Sequence, residues 1–181
     1  EHMTVKAVIF DMDGVLFDTE RISYECWAEV ADAMKLGDLG EGIKGCVGLN
    51  HTDAEILMSN LYGKDFPFEE FSETVHALMK RRFLEEGVPL KEGVKEILEY
   101  LTENGYIVGL ASSTGRGSVM EHLEQTGLTH YFRTIVTGDM VEHSKPEPDI
   151  YLKACEKLGA APADAMAVED SPNGIRSAYR A

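Results

Sequence analysis

The sequence predicts an α/β fold: a doubly wound, Rossmann-like parallel sheet with a helical segment inserted after its first strand and the C-terminal part of the sheet domain missing. Three observations predict it. Four short apolar runs, "VKAVIF" (5–10), "YIVGLAS" (106–112), "TIVTG" (134–138) and "AMAVED" (165–170), have the length and the β-branched content of buried strands. Helical periodicity separates the last three, and strands alternating with helices mean parallel pairing. Residues 20–88, by contrast, carry helical stripes only.

The first strand opens the chain at residues 5–10 and leads into "DMDGVLFDTE" (11–20). In the segment that follows, Ile22, Cys26, Val30 and Met34 recur every fourth residue. Ala54, Leu57 and Leu61 suggest a second stripe. Phe68, Phe71, Val75, Leu78 and Met79 suggest a third, with Trp27 expected in the same core. This places a cap domain at 19–88 and a discontinuous core domain at 1–18 and 89–181. In the core, Val94, Ile97, Leu98 and Leu101 define a helix that "NG" (104–105) stops. Val119 and Leu123 belong to a helix ended by Gly127, and Ile150, Ala154 and Leu158 to one ended by Gly159. Ser171 is placed to cap a last helix with Pro172 in its first turn. Ala181 follows early in that helix, so a further strand and helix are expected beyond it.

Composition narrows the function. The chain has 181 residues, of which 44% are hydrophobic, sufficient for a sizeable core and not a disordered chain. A net charge of −15 argues against a general nucleic-acid binder but allows a small anionic ligand held through a metal ion. Cys26, Cys46 and Cys155 are isolated, so neither a disulfide framework nor a zinc site is indicated. A reducing, cytoplasmic setting and a monomer are the expectation. No run reaches membrane-spanning length, and Glu1 and His2 before Met3 read as a cloning remnant.

Ligands of open parallel sheets bind beyond the carboxyl ends of the strands. Each predicted strand ends in useful chemistry. The first ends at Asp11 and Asp13, two residues apart and thus on one side. The second ends at Ser112, Ser113 and Thr114, the third precedes Lys145, and the fourth ends at Glu169 and Asp170. Buried carboxylates need a counter-charge. Asp11, Asp13 and Asp170 suit Mg²⁺ with a phosphate ligand, and Lys145 with the hydroxyls suits a phosphoryl group. Read singly, the same residues are also turn formers, helix caps or solvated charges. Asp18 and Glu20 could face the cleft or simply start a helix.

Taken together, "DMDGVLFDTE", "GLASST", "SKPEPD" and "VEDSPNG" resemble the four motifs of the haloacid dehalogenase superfamily, in order and spacing. The position of the helical insertion is similar to the β-phosphoglucomutase-like branch. The resemblance implies a strand order of 5-4-1-2-3, with Asp11 as nucleophile and Asp13 as general acid/base. It assigns Ser112 and Thr114 to the phosphoryl oxygens and Lys145 to both Asp11 and phosphate. It assigns Mg²⁺ to Asp11, Glu169, Asp170 and the backbone carbonyl of Asp13. Because neighbours on a strand point opposite ways, Asp170 is expected to be a more direct ligand than Glu169.

The resemblance implies a Mg²⁺-dependent phosphatase of a small phosphorylated metabolite, a sugar phosphate foremost. The alternative is a β-phosphoglucomutase-type phosphomutase. The mutases of this branch carry a histidine soon after the first motif and an arginine in the cap loop. Ser23 and His51 stand there instead, with His51 in reach of substrate. A dehalogenase would lack the second aspartate, and Asp13 is present.

Overall fold

A computed structural model describes residues 5–181; the reading of Glu1 and His2 lies outside them. Four parallel strands form one sheet in the order β3-β2-β1-β4. They are β1 (Ala7–Phe10), β2 (Ile107–Ser112), β3 (Thr134–Thr137) and β4 (Ala165–Val168). Val8 pairs with Val108 on one side and Met166 on the other, so β1 is central. This is the implied order for the four strands described. The predicted runs overshoot the strands by one or two residues at several ends, as strand ends blur into the turns beside them.

Helices cover both faces, as crossovers between parallel strands require. On one face α5 (Val94–Glu103) and α6 (Arg116–Thr126) bury Leu98, Leu101, Val119 and Leu123 against Val8, Phe10, Val108 and Leu110. On the other, α7 (Asp149–Leu158) buries Ile150, Ala154 and Leu158 against Ala7, Ile9 and Val136. Gly127 and Gly159 end α6 and α7 in left-handed backbone at φ 71° and 66°, as their positions predicted. The last helix, α8 (Pro172–Arg180), starts at Ser171, whose hydroxyl accepts the Gly174 N–H at 3.0 Å.

Between β1 and α5 lie four helices with a core of their own: α1 (Thr19–Ala33), α2 (Gly40–Cys46), α3 (His51–Tyr62) and α4 (Phe68–Glu86). Ile22, Cys26 and Val30 of α1 meet Phe71, Val75 and Phe83 of α4. In α3 the buried pair is Ala54 and Met58, whereas Leu61 is exposed. The predicted Leu57–Leu61 stripe is therefore displaced by one residue, because Asn50 caps α3 and fixes which face turns inward. The sequence reading did not identify α2, whose three glycines carry no apolar periodicity. The two connections to this helical unit are bonded to each other. Phe17 and Leu90 form an antiparallel bridge, Asp18 N–H donates to Pro89 O at 2.9 Å, and Lys91 N–H donates to Leu16 O at 2.9 Å.

Candidate active site

Strand β1 delivers Asp11 one residue past its end, where the Asp11 N–H still donates to Val168 O at 3.0 Å. The side chain is nearly buried, and the Lys145 ammonium donates to its Oδ1 at 3.1 Å. Lys145 is itself 2% exposed and donates further to Ala111 O at 3.2 Å and to Glu169 Oε1. The Tyr151 hydroxyl of α7 donates to the same Glu169 oxygen at 2.6 Å. One buried cation thus serves two buried carboxylates. Burial alone would lower the Lys145 pKa, but the flanking Asp11 and Glu169 outweigh it and hold the ammonium charged. Asp11 is pushed up to about 7, chiefly by burial. Lys145 opposes this shift, while Glu169 and Asp13 add to it.

Asp13 is held beside this cluster by two threonines. Thr19, the first residue of α1, donates to Oδ1 at 2.6 Å, and Thr114 donates to Oδ2 at 2.7 Å. Ser112 is fully buried at the end of β2, its hydroxyl accepting the Thr114 N–H at 3.2 Å. The hydroxyls at 112–114 thus do not cap α6, whose N-cap Gly115 makes no side-chain bond. Ser113 instead donates to Gly48 O in the helical unit at 2.7 Å.

Asp11, Glu169 and Asp170 each bring a carboxylate oxygen within 4.8 Å of the others. Glu169 Oε2 is buried with no hydrogen-bond partner. Burial first, and then the neighbouring Glu169, raises the Asp170 pKa; Glu20 is raised by burial and then by Asp170. Of the three acids, Lys145 bonds only Asp11 and Glu169, and Lys91 is the cation that acts on Asp170; with an orphaned carboxylate oxygen among them, the three are still short of positive charge. An all-oxygen donor set of this kind fits a hard divalent cation such as Mg²⁺. Alternation does not keep Glu169 away from the cluster, because β4 ends at Val168 and strand geometry ends with it. The Asp13 carboxylate lies with the threonines and outside this cluster, which leaves its backbone carbonyl as the atom named for the metal.

A cavity of about 790 Å³ opens from the cluster to the helical unit. Asp11, Asp13, Thr114 and Asp170 lie at its floor, and Ser23, Tyr24, Trp27, Lys44 and His76 on the opposite side. Glu20 lines it, so that open choice falls to the cleft. Asp18 is exposed outside it. Trp27 lines it too, besides packing edge-on against Phe71 at 5.1 Å. His51 is not brought to the cavity. It is half-exposed, 3.4 Å from Glu69 and edge-on to Phe68 at 5.2 Å. Thr19, Tyr151 and Glu20 complete the site from helices. Only "DTE" carried a signal for two of them, and nothing in the sequence marked Tyr151.

The family model for haloacid dehalogenase-like hydrolases matches residues 8–181. A phosphorylated carbohydrates phosphatase of Thermotoga maritima is 37% identical over 180 residues, covering 98% of this chain and 82% of that protein. A β-phosphoglucomutase of Bacillus subtilis is 29% identical over 181 residues, covering 94% and 77%. The crystal structure of a hydrolase from Pseudomonas syringae matches with a TM-score of 0.84 at 26% identity, over 97% of this chain and 80% of that one. With the family model spanning nearly its whole length, the chain belongs to the haloacid dehalogenase-like hydrolases.

Proposed function

We propose that the protein is a Mg²⁺-dependent phosphatase that hydrolyses a small phosphorylated metabolite of the sugar-phosphate class through an aspartyl phosphate on Asp11. The observation that carries this reading is the pairing of buried Asp11, bonded to Lys145, with Asp13 held at the floor of the same cavity. The similarity to a carbohydrate-phosphate phosphatase supports the substrate class. Helices α1–α4 serve as the cap that closes over the substrate and excludes water during transfer.

The first step forms a bond from an Asp11 carboxylate oxygen to phosphorus as the bond to the leaving oxygen breaks. Asp13 gives its proton to that oxygen. Asp13, now a base, takes a proton from a water that attacks the phosphoryl group, and Asp11 is released as phosphate departs. Lys145, Ser112 and Thr114 hold the phosphoryl oxygens. Mg²⁺, held by Asp11, Glu169, Asp170 and the Asp13 carbonyl, would neutralise phosphate charge so that one anion can approach another. The free cysteines are in keeping with a reducing compartment.

The mutase reading draws on the relative from Bacillus subtilis. Ser23 in the cavity and His51 outside it put neither a histidine nor an arginine where the mutases carry them. A hydrolysis screen over sugar phosphates, nucleotides and phosphoglycolate, with and without Mg²⁺, tests the proposal. Mg²⁺-dependent phosphate release is expected. Full turnover in excess EDTA would sink the metal assignment, and conversion of β-glucose 1-phosphate to glucose 6-phosphate would favour the mutase.

A further inference from the structure

The loop that precedes α3, together with the first turn of that helix, reaches from the helical unit to segments that follow three strands. Past β2, Ser113 donates to Gly48 O at 2.7 Å. Past β4, Asn173 approaches Val47 O at 3.5 Å. Past β3, the Asp53 carboxylate accepts from the Ser144 hydroxyl and, at 3.3 Å, from the Ser144 N–H. The last contact differs in kind, because it joins a charged acceptor to the residue next to Lys145.

Asp53 is the third residue of α3, after the N-cap Asn50, whose side chain accepts the Asp53 N–H at 2.9 Å. A Glu or Gln at that position can turn back to the N-cap N–H and complete a capping box. Here the Asp53 Oδ2 is committed across to the core at Ser144, which is 6% exposed. Ser144 opens the turn that carries Lys145: its carbonyl accepts the Glu147 N–H at 3.0 Å, and Ser177 donates to Glu147 O at 2.6 Å. Lys145 then extends from this turn to Asp11 and Glu169.

We propose that Asp53 is a positioning residue: its bond to Ser144 ties docking of the helical unit to the placement of the Lys145 ammonium at Asp11. The inference rests on the phosphatase reading for its consequence in catalysis, and on the geometry alone for the tie itself. When the unit swings away, Ser144 loses its charged partner and the lysine turn loses one of its anchors. When the unit docks, the lysine is fixed at the moment the cavity closes.

The test uses the full chain with Mg²⁺ and p-nitrophenyl phosphate. Asp53→Ala and Ser144→Ala each should lower kcat/KM about tenfold, the scale of a lost hydrogen bond to a charged group. The double variant should be no worse than the poorer single one, and the loss should fall on kcat. Asp53→Asn keeps an oxygen that accepts both bonds and should stay within about threefold of wild type, a smaller loss than that of a charge-assisted bond. A purely structural Asp53 would lower the melting temperature and leave kcat unchanged, and additive losses in the double variant would overturn the tie.

Amide exchange gives a readout that needs no turnover. In Asp53→Ala the Ser144 N–H and the amides of residues 47–50 should exchange faster together, and Asp53→Asn should restore them. Unchanged exchange at Ser144 overturns the proposal even in an active enzyme. Coupled exchange in a protein that hydrolyses no phosphomonoester keeps the tie and rejects the phosphatase.

Discussion

Asp11 and Asp13 are chemically alike, and their surroundings set them apart. Asp11 is buried against a lysine, whereas Asp13 accepts two threonine hydroxyls. Asp11→Asn should abolish turnover and phosphoenzyme, since an amide is a poor nucleophile. Asp13→Asn should slow both steps with a sugar phosphate by about 10²–10⁴-fold each. With p-nitrophenyl phosphate the leaving group departs without an acid, so a burst of nitrophenolate should precede slow turnover. Near-normal steady turnover by Asp13→Asn would remove it from the acid/base role. Asp170 and Glu169 should also separate. Asp170 is the most open of the three acids and has no bond to Lys145, so Asp170→Asn should raise the Mg²⁺ needed for half-maximal activity while costing the metal-free protein little stability. Glu169→Ala leaves Lys145 paired with Asp11 alone and takes the acceptor from the buried Tyr151 hydroxyl, so denaturant unfolding should show a loss of about 1–3 kcal/mol. Equal stability of the two variants would contradict that assignment.

At the scale of elements, the sheet and its crossover helices were legible because a buried parallel strand and a glycine-ended helix each leave a strong local signature. The candidate site was legible where strands end, at Asp11, Ser112 and Asp170, and Lys145 lies eight residues past β3 in the quoted "SKPEPD". Tyr151 and Ser144 were not, because each acts through a partner far away in sequence. Helix α2 was missed because three of its seven residues are glycine. The turn after β1 depends on a glycine for a definite reason. Gly14 sits at φ +80°, and a Cβ there would lie 1.9 Å from Asp170 Oδ2. Gly14→Ala should therefore weaken Mg²⁺ binding as well as stability, by at least about 1 kcal/mol for the backbone conformation alone. A metal titration followed by activity checks the first and thermal melting the second.

For the whole molecule, the acidic cluster links stability to pH when no metal is bound. Asp11 titrates near 7 in the folded protein against 3.8 for the free side chain, and Asp170 and Glu20 shift in the same direction. The folded state therefore holds protons that the unfolded chain has released. Stability from these groups is present at low pH and falls as pH rises from about 4 to about 7. In EDTA the melting temperature should drop across that window, and Mg²⁺ should restore more of it at pH 8 than at pH 5.5. A metal-free protein that melts higher at pH 8 than at pH 5.5 would contradict the buried, cation-poor cluster. The helical unit adds a second core, and Phe71→Ala within it should remove about 3–5 kcal/mol in urea unfolding.

The paired connections at Phe17 and Leu90 have a mechanical consequence. Two strands that are hydrogen-bonded to each other behave as a ribbon. A ribbon flexes readily across its flat face but resists stretching and in-plane shearing. In the proposed closure, the four-helix unit on its end is expected to act as a lever with one easy direction of travel and to return to the same seat. A hinge made of two independent tethers would let the unit wander and search for its seat. Here the search would be confined to an arc.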